Sequence, residues 1–227
     1  MKAAEMKKKI IALVLTLALM LGLMPAVAGT AQADTETVLT DTGGTLSSGT
    51  YYLNSNISLK TNITISGTVN LYLNGYVLKG TGSGAVIIVN SGATLNLYDK
   101  YDDSTYASAK YHILTTANQT INSKSTACYK YSSSQTSKPS SGVYVEGGLI
   151  TGGAATTNGA NHGGGIRVMN GGGKLNMYGG NIAGNYSTDH GGGVASSTNS
   201  SGTRNATFTM SGGSICYNAS NWGGGVS

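Results

Sequence analysis

The feature that most constrains this chain is an internal repeat, because a segment that recurs along a sequence must find a recurring environment in the fold. The stretch from Gly84 to Tyr98 aligns without a gap with Gly164 to Tyr178. Six of the 15 positions are identical at a constant offset of 80 residues, and apolar positions fall on apolar positions. A second pattern joins Leu175-Asn-Met177-Tyr-Gly-Gly-Asn-Ile182-Ala-Gly-Asn185 to Phe208-Thr-Met210-Ser-Gly-Gly-Ser-Ile215-Cys-Tyr-Asn218. Val143-Tyr-Val145-Glu-Gly-Gly-Leu-Ile150 reads as a further member, and Val69-Asn-Leu71-Tyr72 as an earlier one. Gly-rich returns follow at Gly163-Gly-Gly-Ile166, Gly191-Gly-Gly-Val194 and Gly223-Gly-Gly-Val226. The unit is 32 or 33 residues in the second half and 26 in the first, an inequality that loop insertions would produce.

Within each unit the apolar residues alternate, and alternate side chains of a strand point to opposite faces. The pairs Val69/Leu71, Leu95/Leu97, Val143/Val145, Leu175/Met177 and Phe208/Met210 therefore point one way and are expected to stack as one column. Ile150, Ile182 and Ile215 form a second column, and Ile166, Val194 and Val226 a third. Three inward columns per unit predict an all-β parallel β-helix, in which each coil buries its apolar surface against its neighbours. The glycines suit its corners, where backbone turns with positive φ or passes close to another segment. No segment after the first 33 residues has the 3.6-residue period of an amphipathic helix, and propeller blades need about 40 residues and four strands.

The chain opens like an export signal. Lys2, Lys7, Lys8 and Lys9 precede an apolar run from Ile10 to Leu23, followed by small-residue sites at Ala26-Val27-Ala28 and Ala31-Gln32-Ala33. The run is shorter than the about 20 residues that span a bilayer, so residues 1–33 are read as a signal peptide cleaved after Ala33. Only that segment, before cleavage, is expected to meet a membrane. Cleavage would leave ten basic and eight acidic residues, so the +5 charge of the whole chain falls to +2. So nearly neutral a surface excludes nucleic acid as a partner, since phosphate binding needs clustered Lys and Arg. Cys128 and Cys216 do not make a disulfide framework, and their pairing is not legible in the sequence.

The Gly179-Gly-Asn-Ile182 and Gly212-Gly-Ser-Ile215 elements, each with its Gly-Gly-Gly-Val return, resemble the right-handed parallel β-helix repeats of bacterial cell-surface proteins. The segments Gly43 to Leu53 and Val69 to Gly75 are similar to the N-terminal cap of such proteins in Gram-positive gut bacteria. The GG-x-I element also resembles chlamydial polymorphic outer membrane protein repeats, although their F-x-x-N element is missing here. The resemblance covers residues 43–226 apart from an insertion at about 99–140. It implies a secreted, surface-displayed, adhesin-like scaffold. Ser227 falls just after a return, so the sequence reading expects either a continuation of the repeats or a partner covering the last coil.

Several residues invite a chemical role. Tyr72, Tyr98 and Tyr178 each follow an inward residue and share an outward phase, where rings and hydroxyls can contact glycans, with Glu146 interrupting the row. Trp222, with His162 and His190, stands immediately before Gly-Gly-Gly and joins the tyrosines as a candidate ligand contact. Two histidines without a visible third ligand do not make a zinc site, so neither metal nor cofactor is assigned. Asp99, Asp102 and Asp103 lack the EF-hand loop pattern and read as solvated loop acids. Glycoside hydrolysis needs two carboxylates about one bond, and the acids here are few and scattered. No catalytic residue is therefore assigned. A polysaccharide lyase or glycoside hydrolase of the β-helix class is the alternative function, and a structural spacer the third.

Overall fold

The computed structural model describes residues 36–100, 106–156, 162–197 and 205–227. The proposed signal segment, Asp102 and Asp103 lie outside the described residues. Among the described residues there is no helix, and the strands fall mainly into three parallel sheets. The first sheet aligns Glu36–Val38, Gly49–Tyr52, Thr68–Tyr72, Thr94–Tyr98, Lys174–Met177 and Thr207–Met210 side by side in chain order. The second comprises Gly44–Leu46, Ile63–Ile65, Ile87–Val89, Ile166–Met169 and Val194–Ser197. The third comprises Ile57–Ser58, Val77–Lys79, Leu149–Thr151, Asn181–Ala183 and Ser214–Cys216. From Gly49 onward the chain passes from first sheet to third to second and back to the first, always in that order.

The register sets like residue beside like. Val69, Leu95, Leu175 and Phe208 form one line of the first sheet, and Leu71, Leu97, Met177 and Met210 the next inward line. Leu78, Ile150, Ile182 and Ile215 align in the third sheet. Ile63, Ile87, Ile166 and Val194 align in the second, with Val226 bridged to Val194. These lines meet in one buried cluster, where residues such as Leu71, Leu95, Leu97, Ile150, Ile166 and Ile182 have no exposed surface. A fully buried Leu or Ile contributes about 1.5–3 kcal/mol relative to exposure, so the lines are the main source of stability. Met210, on the last strand, is 43% exposed because no described strand stacks beyond it.

One expected column member is misplaced by the sequence reading. Val143 and Val145 do not stand between Leu97 and Met177; Thr94–Tyr98 pairs directly with Lys174–Met177. Val143–Glu146 instead runs antiparallel to a hairpin strand, with Val145 opposite His112. Its alternating pattern fits either environment, because period two fixes a strand and one buried face but not the neighbour. The Gly-Gly-Leu-Ile that follows does rejoin the third sheet in the expected register.

The segment inserted between these two strands is itself ordered into a long hairpin, Tyr111–Ile121 against Lys124–Gln135. The sequence leaves this insertion open between a functional loop and a decoration with a short strand around Tyr111 to Leu114. Asn122 and Ser123 form its two-residue turn, both with positive φ, the conformation that suits the twist of a hairpin. The hairpin lies along the outside of the third sheet. Asn56 Nδ2 donates to Ser134 Oγ at one end, and Asn122 Nδ2 donates to Asn221 Oδ1 at the other. Beneath it Val77, Leu114, Val145, Leu149 and Ala183 form a second buried cluster. Leu149, Ile150 and Thr151 are consequently all buried, because both faces of that sheet are covered.

The Gly-Gly-Gly returns use each glycine differently. Gly163, Gly191 and Gly223 have φ of 65°, 56° and 64°, a left-handed turn that side chains resist. A Cβ on Gly164 or Gly192 would fall on the carbonyl oxygen of Tyr186 or Ala219, respectively. The first two corners therefore need glycine for both reasons anticipated from the sequence, and the third for its positive φ.

Candidate functional site

The outward face of the first sheet carries two polar ladders. Tyr72 and Tyr98 stack with ring centroids 4.7 Å apart and planes at 12°, and Tyr98 and Tyr178 at 4.8 Å and 10°. That spacing is the distance between neighbouring strands, so the register alone brings the rings together. Glu146 does not break the row, because its strand belongs to the hairpin sheet, where Lys110 Nζ approaches Glu146 Oε1 at 3.5 Å. Beside the rings, Asn176 Nδ2 donates to Asn96 Oδ1 and Asn96 Nδ2 to Asn70 Oδ1, each at 2.9 Å. The asparagine ladder was visible as Leu-Asn-Leu and Leu-Asn-Met in the repeats, but its hydrogen bonds depend on register. Burial, followed by the neighbouring Tyr72 and Tyr178 phenols, raises the Tyr98 pKa. The hydroxyl therefore remains a donor at neutral pH.

Stacking has a chemical consequence. Inner ring faces are covered by one another, so the row presents hydroxyls and ring edges outward, and an open face at Tyr178, which is 47% exposed. Each ladder amide also retains an N–H beyond the one used along the row.

Trp222 belongs to a different column. His162, His190 and Trp222 are joined by parallel bridges. The His162 and His190 rings stack at 5.1 Å and 6°, and His190 and Trp222 at 6.3 Å and 27°. Trp222 is 60% exposed. The third group that the sequence reading did not find is Asp189, whose Oδ2 lies 3.8 Å from His162 Nε2 and Oδ1 3.5 Å from His190 Nε2. Adjacency in sequence concealed this, since Asp189 reaches His162 only through the stacking of successive repeats. Burial lowers the His162 pKa against the opposing pull of Asp189.

Two further polar groups position the hairpin. Asp99 is not a solvated loop acid: its Oδ1 accepts from the backbone N–H of Gly75 at 2.9 Å and of Gly148 at 2.7 Å, and its Oδ2 from the Tyr106 hydroxyl at 2.9 Å. A Cβ on Gly148 would stand 2.6 Å from that Oδ1, which explains the glycine. Burial and then the Asp99 charge raise the Tyr106 pKa, keeping the donor protonated. His112 is fully buried, with Nε2 3.0 Å from the Gly75 carbonyl and Nδ1 2.7 Å from Ser134 Oγ. A carbonyl only accepts, so Nε2 carries the proton and Ser134 donates to Nδ1. Cys128 and Cys216 are both free thiols, raised in pKa by burial.

Comparison with protein-family models, with curated proteins and with solved structures returns no match for this chain.

Proposed function

We propose that the three sheets are the walls of a right-handed parallel β-helix, exported and displayed at a bacterial surface as an adhesin-like scaffold that contacts glycans through its tyrosine face. The recurrent passage through the sheets in one order and the inward lines of Leu, Ile and Val support the β-helix part of this reading. The observation that carries the binding part is the unbroken stack of Tyr72, Tyr98 and Tyr178. Flanked by the asparagine ladder, it offers a regular line of hydroxyl and amide groups at strand spacing, which suits a ligand that is itself a repeating array of hydroxyls. Tyr178, at the end of the row, supplies an open aromatic face for stacking on a sugar ring. Trp222 sits on its own column and is a separate candidate contact.

The test is a glycan array probed with the full chain and with a Tyr72/Tyr98/Tyr178→Phe variant. The phenylalanines preserve the ring stack, so thermal stability should change little while saturable glycan binding falls at least about tenfold, as for loss of roughly one net hydrogen bond. Equal binding by the variant would remove the tyrosine face from the reading. No binding by either protein would favour the spacer, and release of oligosaccharide product would favour the carbohydrate-active enzyme.

A further inference from the structure

We propose that His162, Asp189 and His190 form a binding site for one divalent transition-metal ion that ties two successive repeats together. The proposal rests on the Gly-Gly-Gly corner alone and is independent of the glycan reading. One ligand atom from each residue lies within 4.8 Å of the other two, and the Asp189 carboxylate faces both imidazoles. Separations of 3.5 and 3.8 Å are too long for good hydrogen bonds. Side chains 19%, 32% and 41% exposed, for His162, Asp189 and His190, have room to move, and the two rings, stacked with planes at 6°, must tilt for their in-plane lone pairs to converge at about 2.0–2.2 Å on a shared ion.

The donor chemistry selects the ion. Two imidazole nitrogens and one carboxylate oxygen suit Zn2+, Ni2+ or Cu2+ and disfavour Ca2+ or Mg2+, which want oxygen shells. The His190 Nδ1 lies 3.3 Å from Ser227 Oγ, a partner on the far side of the ring that leaves Nε2 turned to Asp189. The corner backbone holds the rings in place: Gly163 N–H donates to the His190 carbonyl at 3.0 Å, and Gly191 N–H to that of Trp222 at 2.9 Å. Three protein ligands leave at least one coordination position for water or a further ligand.

Trp222 makes the test direct, because it is the only tryptophan in the chain and its ring stacks on His190. Untagged full chain is titrated with Ni2+ at about pH 7.5, where an ordinary imidazole is mostly neutral, while tryptophan fluorescence is followed. Saturable quenching at one ion per chain is expected, reversed by excess Zn2+, and Zn2+ should raise the melting temperature. His162→Ala and Asp189→Asn keep the His190–Trp222 stack and should each weaken binding at least about tenfold, since even outer-shell losses cost ten- to hundred-fold. Should either variant fold poorly, the Co2+ spectrum of the wild-type protein decides independently. Nitrogen and oxygen ligation without thiolate charge-transfer bands supports this site, whereas thiolate bands would assign the metal to a cysteine. Absence of saturable quenching, or equal affinity in folded variants, would overturn the proposal.

Discussion

The parallel stack and the hairpin laid across it are held by different physics. In the stack, each inward residue meets its own counterpart from the next repeat, and Leu71, Leu95, Leu97 and Ile182 are wholly buried. In the hairpin the two strands satisfy each other's backbone groups, but the half from Thr115 to Thr120 has no buried side chain. The base of the hairpin is fastened instead by His112, by Asp99 and by a small cluster around Leu114 and Val145. Apolar burial thus makes the stack, while a few buried polar contacts decide where the hairpin lies. Such contacts are costly to break singly, since the remaining partner is left unsatisfied.

The largest expected effect is in the stack. Leu97→Ala should lower the unfolding free energy by about 2–5 kcal/mol, whereas Thr116→Ala on the exposed half of the hairpin should stay within about 0.5 kcal/mol. Chemical denaturation of both variants measures the contrast, and similar losses would erase the distinction between the regions. Next comes Asp99→Asn, which keeps an oxygen for the two glycine N–H groups but removes the charge and puts an NH2 where Oδ2 accepts from the Tyr106 hydroxyl. A cost of about 1–3 kcal/mol is expected, read as faster hydrogen exchange at Gly75, Gly148 and the hairpin base. Unchanged exchange would mean that the apolar cluster alone fastens the hairpin.

The smallest effect is a pH dependence centred on His112. Burial lowers its pKa in the folded protein, outweighing the hydrogen bond that the ring donates to the Gly75 carbonyl and the Asp99 charge, which raise it. Below about pH 6.5 the unfolded chain therefore takes up a proton that the folded ring resists, and stability falls as the pH falls. Stability is complete above that pH. His162 is shifted in the same direction, so the readout must be local. The opening equilibrium at the hairpin base, read as hydrogen exchange divided by the intrinsic amide rate at each pH, should grow between about pH 7.5 and pH 5.5, and a His112→Asn variant should lose that growth. An opening equilibrium that is independent of pH would show that His112 does not hold the hairpin base.

The columns were legible because the period of two and the repeat spacing act together: the first selects the buried face and the second selects which residues meet. Ile150, Ile182 and Ile215 stand in register as their alignment demanded. Val143 and Val145 do not, because the same alternation equally serves a strand beneath the hairpin. The hairpin itself left a faint signal in Asn122-Ser123, a turn suited to positive φ, between polar alternating runs that lack an obvious apolar face. Of the candidate site residues, the tyrosines were readable as a row, yet the stacking that hides their inner faces was not.

The sequence by itself determined the strands, the inward lines of Leu, Ile and Val, and the corners that only glycine can occupy, since these depend on local geometry and on a pattern that repeats. Tertiary structure alone decided that Tyr98 meets Tyr178 rather than Glu146, that Asp99 clamps Gly75 to Gly148, and that Asp189 faces both histidines. Each of these joins residues from different repeats. Their distance is set by which strand lies beside which, and an 80-residue gap in sequence becomes a single strand spacing once the intervening hairpin folds out of the stack.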